Sequence, residues 1–223
     1  NYMCQDRSDV QFQVKELCRS MSDPTEADWL MLKRLARYLI GRTRVVLMFV
    51  YQGNHGVVDA WTDTDYAGCR VSRKSTSGGV VMLGSHMIKS WSSTQSGIAL
   101  SSGEAEYYGL VTGMSEAIGE QSVARDWGVK IPIVVYMDAT AGAAIGSRRG
   151  LGKVKHISTV FLWAQERVTS GQVKIQWKHT SINLADILTK AIEAGKLRTA
   201  MEEMGFTFPT GRASLAYATD GLG

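Results

Sequence analysis

The chain has 223 residues, 44% of them hydrophobic, which is enough apolar material for the core of one large domain or of one and a half small ones. No apolar run reaches about 18 residues and no secretory pattern is present, so we expect neither a membrane span nor a secretory leader. Three cysteines (Cys4, Cys18 and Cys69) lack metal-ligand spacing, which argues against a zinc site and predicts reduced thiols in an intracellular protein. The net charge of +4 favours nucleic-acid binding only weakly. Because the first residue is Asn1, we expect a piece of a longer polypeptide.

The first 50 residues are predicted to form a helical arm. One helix is expected over residues 10–19. A second is expected to start at Asp23-Pro24, where an N-cap residue followed by proline is typical of a helix start, and to end at Gly41. The arm contains no residues with obvious chemistry, so we interpret it as packing helices.

After the arm the hydrophobic period changes from that of a helix to that of a strand. Strands are predicted over residues 45–51 and 57–63, with the turn-prone sequence G-N-H-G between them. Residues 78–83 and 87–91 are predicted to form a hairpin around Gly84. This part of the sheet is therefore expected to be antiparallel.

The next element is a predicted helix over residues 99–119. Leu110 and Met114 recur at helical spacing, and Glu106 lies one turn before Leu110 on the same stripe. Glu104 is two positions earlier, about 200° around the helix at 3.6 residues per turn. We therefore predict that Glu106 faces the core, where it needs a partner such as a metal cluster, and that Glu104 points away.

The remaining elements alternate between strand and helix. Residues 131–137 are an apolar run typical of a strand buried on both faces, and residues 172–178 are a second predicted strand. Helices are predicted over residues 139–146, 156–170 and 182–191, and the tail after Phe208 is expected to be loose. Hairpins followed by strand–helix alternation predict a mixed sheet covered by helices, antiparallel at one edge and parallel at the other.

Acidic residues recur at similar places in these elements. Asp63 and Asp138 each end a predicted strand, so both would lie at the carboxyl edge of the sheet if the two strands are neighbours. Glu106 comes from the first turn of a helix, and Asp186 from the start of the last one. Clustered carboxylates repel one another without cations, and oxygen ligands suit Mg²⁺ or Mn²⁺, two of which can support phosphodiester hydrolysis. From spacing alone, turn and cap roles remain open for each acid.

Short motifs change this balance because they occur together and in order. They are W-T-D-T-D-Y-A-G (61–68), R-K-S-T-S-G-G (73–79), K-S-W-S-S (89–93), L-S-S-G-E-A-E-Y (100–107), K-V-K-H-I (153–157) and N-L-A-D-I-L-T-K (183–190). Together they resemble the ribonuclease H domain of copia-type LTR retrotransposon polyproteins. The arm, with Q-D-R-S-D-V-Q-F (5–12) and D-P-T-E-A-D-W (23–29), is similar to the C-terminal end of that family's reverse transcriptase.

The resemblance implies a fold and a domain organisation. The fold would be α/β, with a ribonuclease H-like mixed five-stranded sheet flanked by helices and preceded by the helical arm. Residues 1–50 would be a helical, thumb- or connection-like C-terminal segment of the reverse transcriptase, and residues 51–192 the ribonuclease H-like domain. Residues 193–223 would form a C-terminal helix and loose tail. The implied partners are an RNA–DNA hybrid and the reverse transcriptase portion of the same polyprotein, without a membrane. The implied location is intracellular, in a cytoplasmic retroelement particle or the nucleus.

The resemblance also implies a site and a reaction. Asp63, Glu106, Asp138 and Asp186 would bind two Mg²⁺ (or Mn²⁺) ions and hydrolyse the RNA strand of the hybrid, leaving a 3′-hydroxyl and a 5′-phosphate. His179, shortly before the last Asp, is a candidate proton shuttle, with a surface histidine as the alternative. A Tyr-x-Asp-Asp polymerase motif is absent from the sequence, so we expect no polymerase activity.

A rim of basic and hydroxyl side chains is predicted to contact the nucleic acid backbone. Each basic residue could instead be an ordinary solvated charge, the hydroxyls could cap a turn, and the histidine could orient a helix start. The predicted contacts are Arg73, Lys74, Ser75, Thr76, Lys89, Lys153, Lys155 and His156.

Two other classes of protein remain open beside a hybrid-cleaving enzyme. One is a decayed retroelement whose fold survives as a nucleic-acid-binding or structural module. The other is a relative of transposases and integrases, which share the sheet and the acids. In those proteins the last acid is typically a glutamate on a late helix, so the pair Glu106 and Asp186 favours ribonuclease H.

Overall fold

The computed structural model describes residues 2–53, 56–138, 147, 162–179 and 183–211. The helix predicted over residues 139–146 lies outside the described residues, as does the first part of the helix predicted over 156–170. The motif at 153–157 and the end of the tail also lie outside them.

Among the described residues, five strands form one mixed sheet, and two short strands form a separate pair. The strands are β1 Val46–Leu47, β2 Val58–Asp65, β3 Thr76–Leu83, β4 His86–Thr94, β5 Ile133–Met137, β6 Val173–Trp177 and β7 Phe206–Thr207. In the large sheet the order is β4-β3-β2-β5-β6; β3 is antiparallel to β2 and β4, whereas β5 is parallel to β2 and β6. This confirms the predicted α/β fold with a mixed five-stranded sheet, antiparallel at one edge and parallel at the other.

Helices precede and flank the sheet, as predicted. The described helices are α1 Gln11–Arg19, α2 Glu26–Gly41, α3 Ser102–Asp126, α4 Trp163–Thr169 and α5 Ala194–Glu203. The arm is attached to the sheet by polar contacts: the Lys15 ammonium donates to Thr76 Oγ1 at 2.7 Å, and the Ser8 and Ser90 hydroxyls are 2.7 Å apart. No helix in the described residues combines the length and apolarity needed to cross a membrane.

Two hydrophobic clusters cover opposite faces of the sheet. Val81 belongs to the cluster under α3, whereas its neighbour Val80 belongs to the other cluster, as expected where successive side chains of a strand alternate. The first cluster includes Leu110 and Met114 of α3, both fully buried. The second combines the sheet with residues 184–188, α5 and β7.

The first predicted strand, 45–51, is wrong in extent and partner. Only β1 forms, and it pairs antiparallel with β7 instead of joining the large sheet. The Met48 amide continues this contact by donating to the Gly205 carbonyl at 2.9 Å. The partner strand lies about 160 residues away in sequence, so the local pattern of residues 45–51 cannot specify it.

The helix predicted over 182–191 is also wrong. The chain forms a short 3₁₀ helix, Leu184–Leu188, and the regular helix α5 begins later. Asn183 caps the 3₁₀ helix by accepting from the Ala185 amide, and its Nδ2 donates to the Thr62 carbonyl of β2 at 2.9 Å. At the other end the Thr189 hydroxyl donates to Asp63. Both ends of this five-residue segment are therefore fixed to β2.

Candidate functional site

Asp63 and Asp138 come from neighbouring parallel strands. The register pairs Trp61 with Tyr136, so Asp63, two residues further along β2, lies beside Asp138, the residue that directly follows β5. β2 continues to Asp65, and Asp63 is therefore two residues inside the strand instead of at its end. Asp63 is consequently held by a buried backbone, and the residue as a whole is only 4% exposed.

Helix α3 brings Glu106 to the same place. One carboxylate oxygen each of Asp63, Glu106 and Asp138 lies within 4.8 Å of the others, and we call these residues the acidic triad. The helix approaches closely because it presents glycines to β2. A Cβ atom added at Gly109 would lie 2.6 Å from Thr64 Oγ1, and one at Gly113 would lie 2.3 Å from Thr62 Cγ2.

Asp186 joins the triad through a lysine. The Lys190 ammonium lies 3.1 Å from Asp186 Oδ1 and 3.7 Å from Asp63 Oδ2. The Thr189 hydroxyl donates to the same Asp63 oxygen. Asp186 is placed by the 3₁₀ helix, which lies directly on β3: a Cβ atom at Gly78 would be 2.7 Å from Leu188 Cβ. The triad and Asp186 together form what we call the carboxylate cluster.

The electrostatics of the cluster fit the binding of a divalent cation. Burial, together with the charges of Asp63 and Asp138, raises the pKa of Glu106 to about 9. Burial and the charge of Asp63 likewise raise the pKa of Asp186 to about 6. Glu106 Oε2 is buried and has no hydrogen-bond partner among the described residues. An oxygen-only donor set with an unpartnered buried oxygen fits Mg²⁺ or Mn²⁺.

Comparison with known proteins assigns the chain to a family. No family model matches it. It is 32% identical to the retrovirus-related Pol polyproteins from transposons RE1 and RE2 of Arabidopsis thaliana, over 92% of this chain in each case. The chain belongs to the retrovirus-related Pol polyproteins of transposons. It spans 14% of the length of these two curated relatives.

The resemblance to retrotransposon Pol polyproteins that the sequence motifs indicate is therefore confirmed. Among solved structures, the chain is similar to the N-terminal RNase H domain of a Mycobacterium tuberculosis protein, solved as a fusion with maltose binding protein. That match has 21% identity and a TM-score of 0.43, and it covers 66% of this chain and 96% of the other.

The prediction for Glu104 is wrong. Its side chain is 1% exposed, so it is more deeply buried than Glu106. Glu104 Oε2 accepts from the Leu100 amide at 2.9 Å, and Oε1 accepts from the Tyr108 hydroxyl. The Ser101 hydroxyl caps the Glu104 amide in return. The carboxylate satisfies donors at the start of α3, which a count of helical faces does not consider.

The predicted hydroxyl contacts to nucleic acid face inward. Ser75 and Thr76 are both buried. Ser75 Oγ accepts from the Ala67 amide at 3.0 Å, and Thr76 Oγ1 accepts from Lys15. Ser75 thus stabilises the turn before β3, which is the alternative role, whereas Thr76 holds α1 against the sheet. Neither hydroxyl is exposed for the predicted phosphate contact.

The basic residues of the predicted rim differ in exposure and in ion pairing. Arg73 is exposed and Lys74 is partly exposed in the turn between β2 and β3. Lys89, on the edge strand β4, pairs with Glu116 Oε2 of α3 at 2.6 Å. The other predicted contacts, Lys153, Lys155 and His156, lie outside the described residues.

His179 lies just beyond β6. Its ring packs edge-on against Trp177, with 6.2 Å between ring centroids. The histidine lines a cleft of about 730 Å³ whose other residues include Asp186 and Lys190. The structure thus places His179 on the same side of the molecule as the last acid of the cluster.

Sequence reasoning missed Thr189 and Lys190 as parts of the site. Thr189 is fully buried and binds Asp63, and Lys190 pairs with two acids of the cluster. For Lys190, the four-residue spacing from Asp186 was an available signal, since such pairs meet on helical turns. Nothing local in the sequence indicates the contact from Thr189 to β2.

Proposed function

We propose that this chain is the ribonuclease H part of a retrotransposon Pol polyprotein and that it cleaves the RNA strand of RNA–DNA hybrids endonucleolytically. The observation that carries the proposal is the convergence of Asp63, Glu106 and Asp138 within 4.8 Å at the carboxyl edge of the sheet. The family membership supports it, because a Pol polyprotein acts on nucleic acid. The products would be a 3′-hydroxyl and a 5′-phosphate.

The carboxylate cluster would bind two Mg²⁺ or Mn²⁺ ions. Such ions, when bound, supply a nucleophile at neutral pH and stabilise charge on the leaving oxygen. The chain's own contribution is to hold the ligands in place before binding. Asp63 is held by β2 and by the Thr189 hydroxyl, Glu106 by the close packing of α3, and Asp186 by the 3₁₀ helix.

His179 is the proposed proton shuttle for the leaving group. It lines the same cleft as Asp186, and an imidazole ring nitrogen can accept a proton or donate one. Among the described residues, we propose Arg73 and Lys74 as contacts to the nucleic acid backbone. Their turn follows the end of β2, next to Asp65. We keep Lys89, Lys153, Lys155 and His156 as further proposed contacts.

We also propose the division of the chain expected from the motifs. Residues 1–50 would be the C-terminal segment of the reverse transcriptase, residues 51–192 the ribonuclease H domain, and residues 193–223 a C-terminal extension. Val45 and Leu47 from the first segment and Met201, Met204 and Phe206 from the last pack in one hydrophobic cluster with the sheet. The three segments would therefore fold together. The proposed location is a cytoplasmic retroelement particle or the nucleus.

Cleavage of a labelled RNA–DNA hybrid tests the proposal. The protein is incubated with the hybrid in Mg²⁺, Mn²⁺ or Ca²⁺, with parallel lanes of double-stranded RNA and double-stranded DNA. We expect cleavage of the RNA strand with Mg²⁺ or Mn²⁺ only, because calcium's larger radius and looser coordination spoil the geometry of hydrolysis. Cutting in excess EDTA would contradict the metal site. Cutting of double-stranded DNA would instead indicate a relative of transposases, and binding without cutting would indicate a decayed element.

A further inference from the structure

Lys190 reaches into the carboxylate cluster from the end of the 3₁₀ helix. Its ammonium lies 3.1 Å from Asp186 Oδ1 and 3.7 Å from Asp63 Oδ2, so one cation joins acids that belong to different elements. The Asp63 and Asp186 side chains are 5% and 18% exposed, whereas the lysine side chain is 42% exposed. The contacts are therefore formed inside the site while the lysine stem remains open to solvent.

We propose that Lys190 is a positioning residue that bridges Asp63 and Asp186 until a divalent ion takes their oxygens. This inference rests on the proposed metal site. Without a cation the carboxylates repel one another, and the ammonium reduces that repulsion while fixing the spacing of two ligands. A divalent ion needs the same oxygens. The flexible four-carbon stem lets the ammonium turn outward when the ion arrives, so lysine and metal compete.

If Lys190 competes with the metal, removing it should change the affinity for divalent ions in the opposite direction from removing a purely structural lysine. Removing a competing cation frees Asp63 and Asp186 and makes the site more negative, so divalent ions should bind more tightly. Removing a lysine that only holds the ligands in position would make the ions bind more weakly. The stability of the metal-free protein should fall in both cases, so metal affinity is the deciding measurement.

Calorimetric titration of metal-free protein with Mn²⁺ measures that affinity. We compare wild type with Lys190→Met, which keeps the length of the side chain without its charge, and with Lys190→Arg, which restores a cation. Lys130→Met is the matched control, since Lys130 is exposed and lies outside the cleft that Asp186 and Lys190 line. We expect Lys190→Met to bind Mn²⁺ about threefold to tenfold more tightly, as loss of a partly exposed ion pair allows. In EDTA its Tm should fall by about 2–4 °C. Lys190→Arg and Lys130→Met should resemble wild type.

A folded Lys190→Met protein with unchanged or weaker Mn²⁺ binding would overturn the inference. If that variant does not fold, acetylation of the wild-type protein followed by mass spectrometry replaces it. Lys190 should be modified faster when Mn²⁺ is present, because the metal releases the ammonium from its carboxylates, and no increase would overturn the inference. Wild type that binds no Mn²⁺ and cuts no hybrid would defeat the proposed function itself. Wild type that binds and cuts normally, with Lys190→Met unchanged in affinity, would defeat only the role of Lys190.

Discussion

At the residue scale, Asp138 gives the sharpest test of the proposed site. It follows directly on β5, whose position is fixed by two parallel neighbours. Asp138→Asn keeps the shape of the side chain but removes one anionic ligand, so we expect cleavage of an RNA–DNA hybrid to slow by about a hundredfold or more. In EDTA, the free energy of unfolding of Asp138→Asn should equal or slightly exceed that of metal-free wild type, because the substitution relieves repulsion between carboxylates.

The matched control for this variant is Asp126→Asn, which removes a carboxylate from the exposed last residue of α3. We expect it to cut normally. Binding of the hybrid in Ca²⁺ should be retained by both variants, since neither removes a basic residue. Cleavage by Asp138→Asn at the wild-type rate would show that the site is assigned wrongly.

Glu106 should make the stability of the metal-free protein depend on pH. Its pKa in the folded chain is about 9, above the ordinary value of 4.5, so the folded state keeps a proton that the unfolded state releases. The free energy of unfolding therefore falls as pH rises from about 4.5 to about 9. In EDTA, the free energy of unfolding of Glu106→Gln should exceed that of wild type, and this difference should grow by about 1–2 kcal/mol from pH 6 to pH 8.

The difference between these two proteins isolates Glu106 from other titrating groups. The pKa of Asp186, about 6, affects the lower part of the pH range, and the lowered pKa of Cys69, also about 6, acts with the opposite sign above it. Both groups are present in wild type and in Glu106→Gln. Denaturant unfolding at several pH values measures the difference, and a constant difference from pH 6 to pH 8 would rule out the charge of Glu106 as its cause.

Glu104 is expected to matter for stability and not for metal binding. Both its oxygens accept hydrogen bonds inside the start of α3. In Glu104→Gln the amide nitrogen faces a donor, so we expect a loss of about 1–3 kcal/mol of unfolding free energy with nearly unchanged Mn²⁺ affinity. Glu120→Gln, further along the same helix, is the control and should cost little. A loss of Mn²⁺ affinity in a folded Glu104→Gln protein would place this residue in the metal site after all.

At the scale of the element, α3 acts as the support that brings Glu106 to the sheet. Gly109 has only 2.6 Å between an added Cβ atom and Thr64 Oγ1, whereas an added Cβ atom at Gly119 meets nothing within 4 Å. Gly109→Ala should therefore push the helix away from β2 and destabilise the protein by about 1–3 kcal/mol, with weaker Mn²⁺ binding. Gly119→Ala, the control, should stabilise by up to about 1 kcal/mol, because alanine favours a helix.

Thermal unfolding and Mn²⁺ titration of these two variants provide the test. If Gly109→Ala were as stable as Gly119→Ala and bound Mn²⁺ normally, close packing of α3 would not be what places Glu106. The 3₁₀ helix shows the same dependence on contact distance, since Gly78 lets Leu188 lie directly on β3 and thereby positions Asp186.

At the scale of the whole molecule, the net charge of +4 is modest, so attraction to the hybrid has to come from the local group of basic residues that we propose as backbone contacts. We expect hybrid binding, measured in Ca²⁺ so that no cleavage occurs, to weaken steeply between about 50 and 200 mM salt, because contacts to phosphates release counterions. Binding should vary little with base sequence, since hybrids are recognised through backbone and 2′-hydroxyl groups. The double variant Arg73→Gln with Lys74→Gln should reduce the salt dependence. Affinity that stays constant over this salt range would contradict a phosphate-reading surface.

The sequence by itself determined that the sheet is mixed, antiparallel at one edge and parallel at the other, and which stripe of α3 carries Glu106. These features follow from hydrophobic period and from turn residues, which act over a few neighbouring positions. The ordered motifs were specific enough to indicate the family. Strand ends were less well determined, and Asp63 lies inside β2 because β3 continues to pair beyond it.

Only the tertiary structure decided how the acids are held. The contact between Thr189 and Asp63 joins residues 126 positions apart, and the bond from Asn183 to the Thr62 carbonyl joins residues 121 apart. Those two anchors hold both ends of the short 3₁₀ helix on β2, and Lys190, which follows it, pairs with two acids of the cluster. The prediction that Glu104 points away from the core is wrong for a related reason. Its carboxylate is buried because it accepts from donors at the start of α3, and helical spacing does not show which donors lack partners. Periodicity records which face of an element is apolar, but it carries no information about the partner that each buried polar group must find.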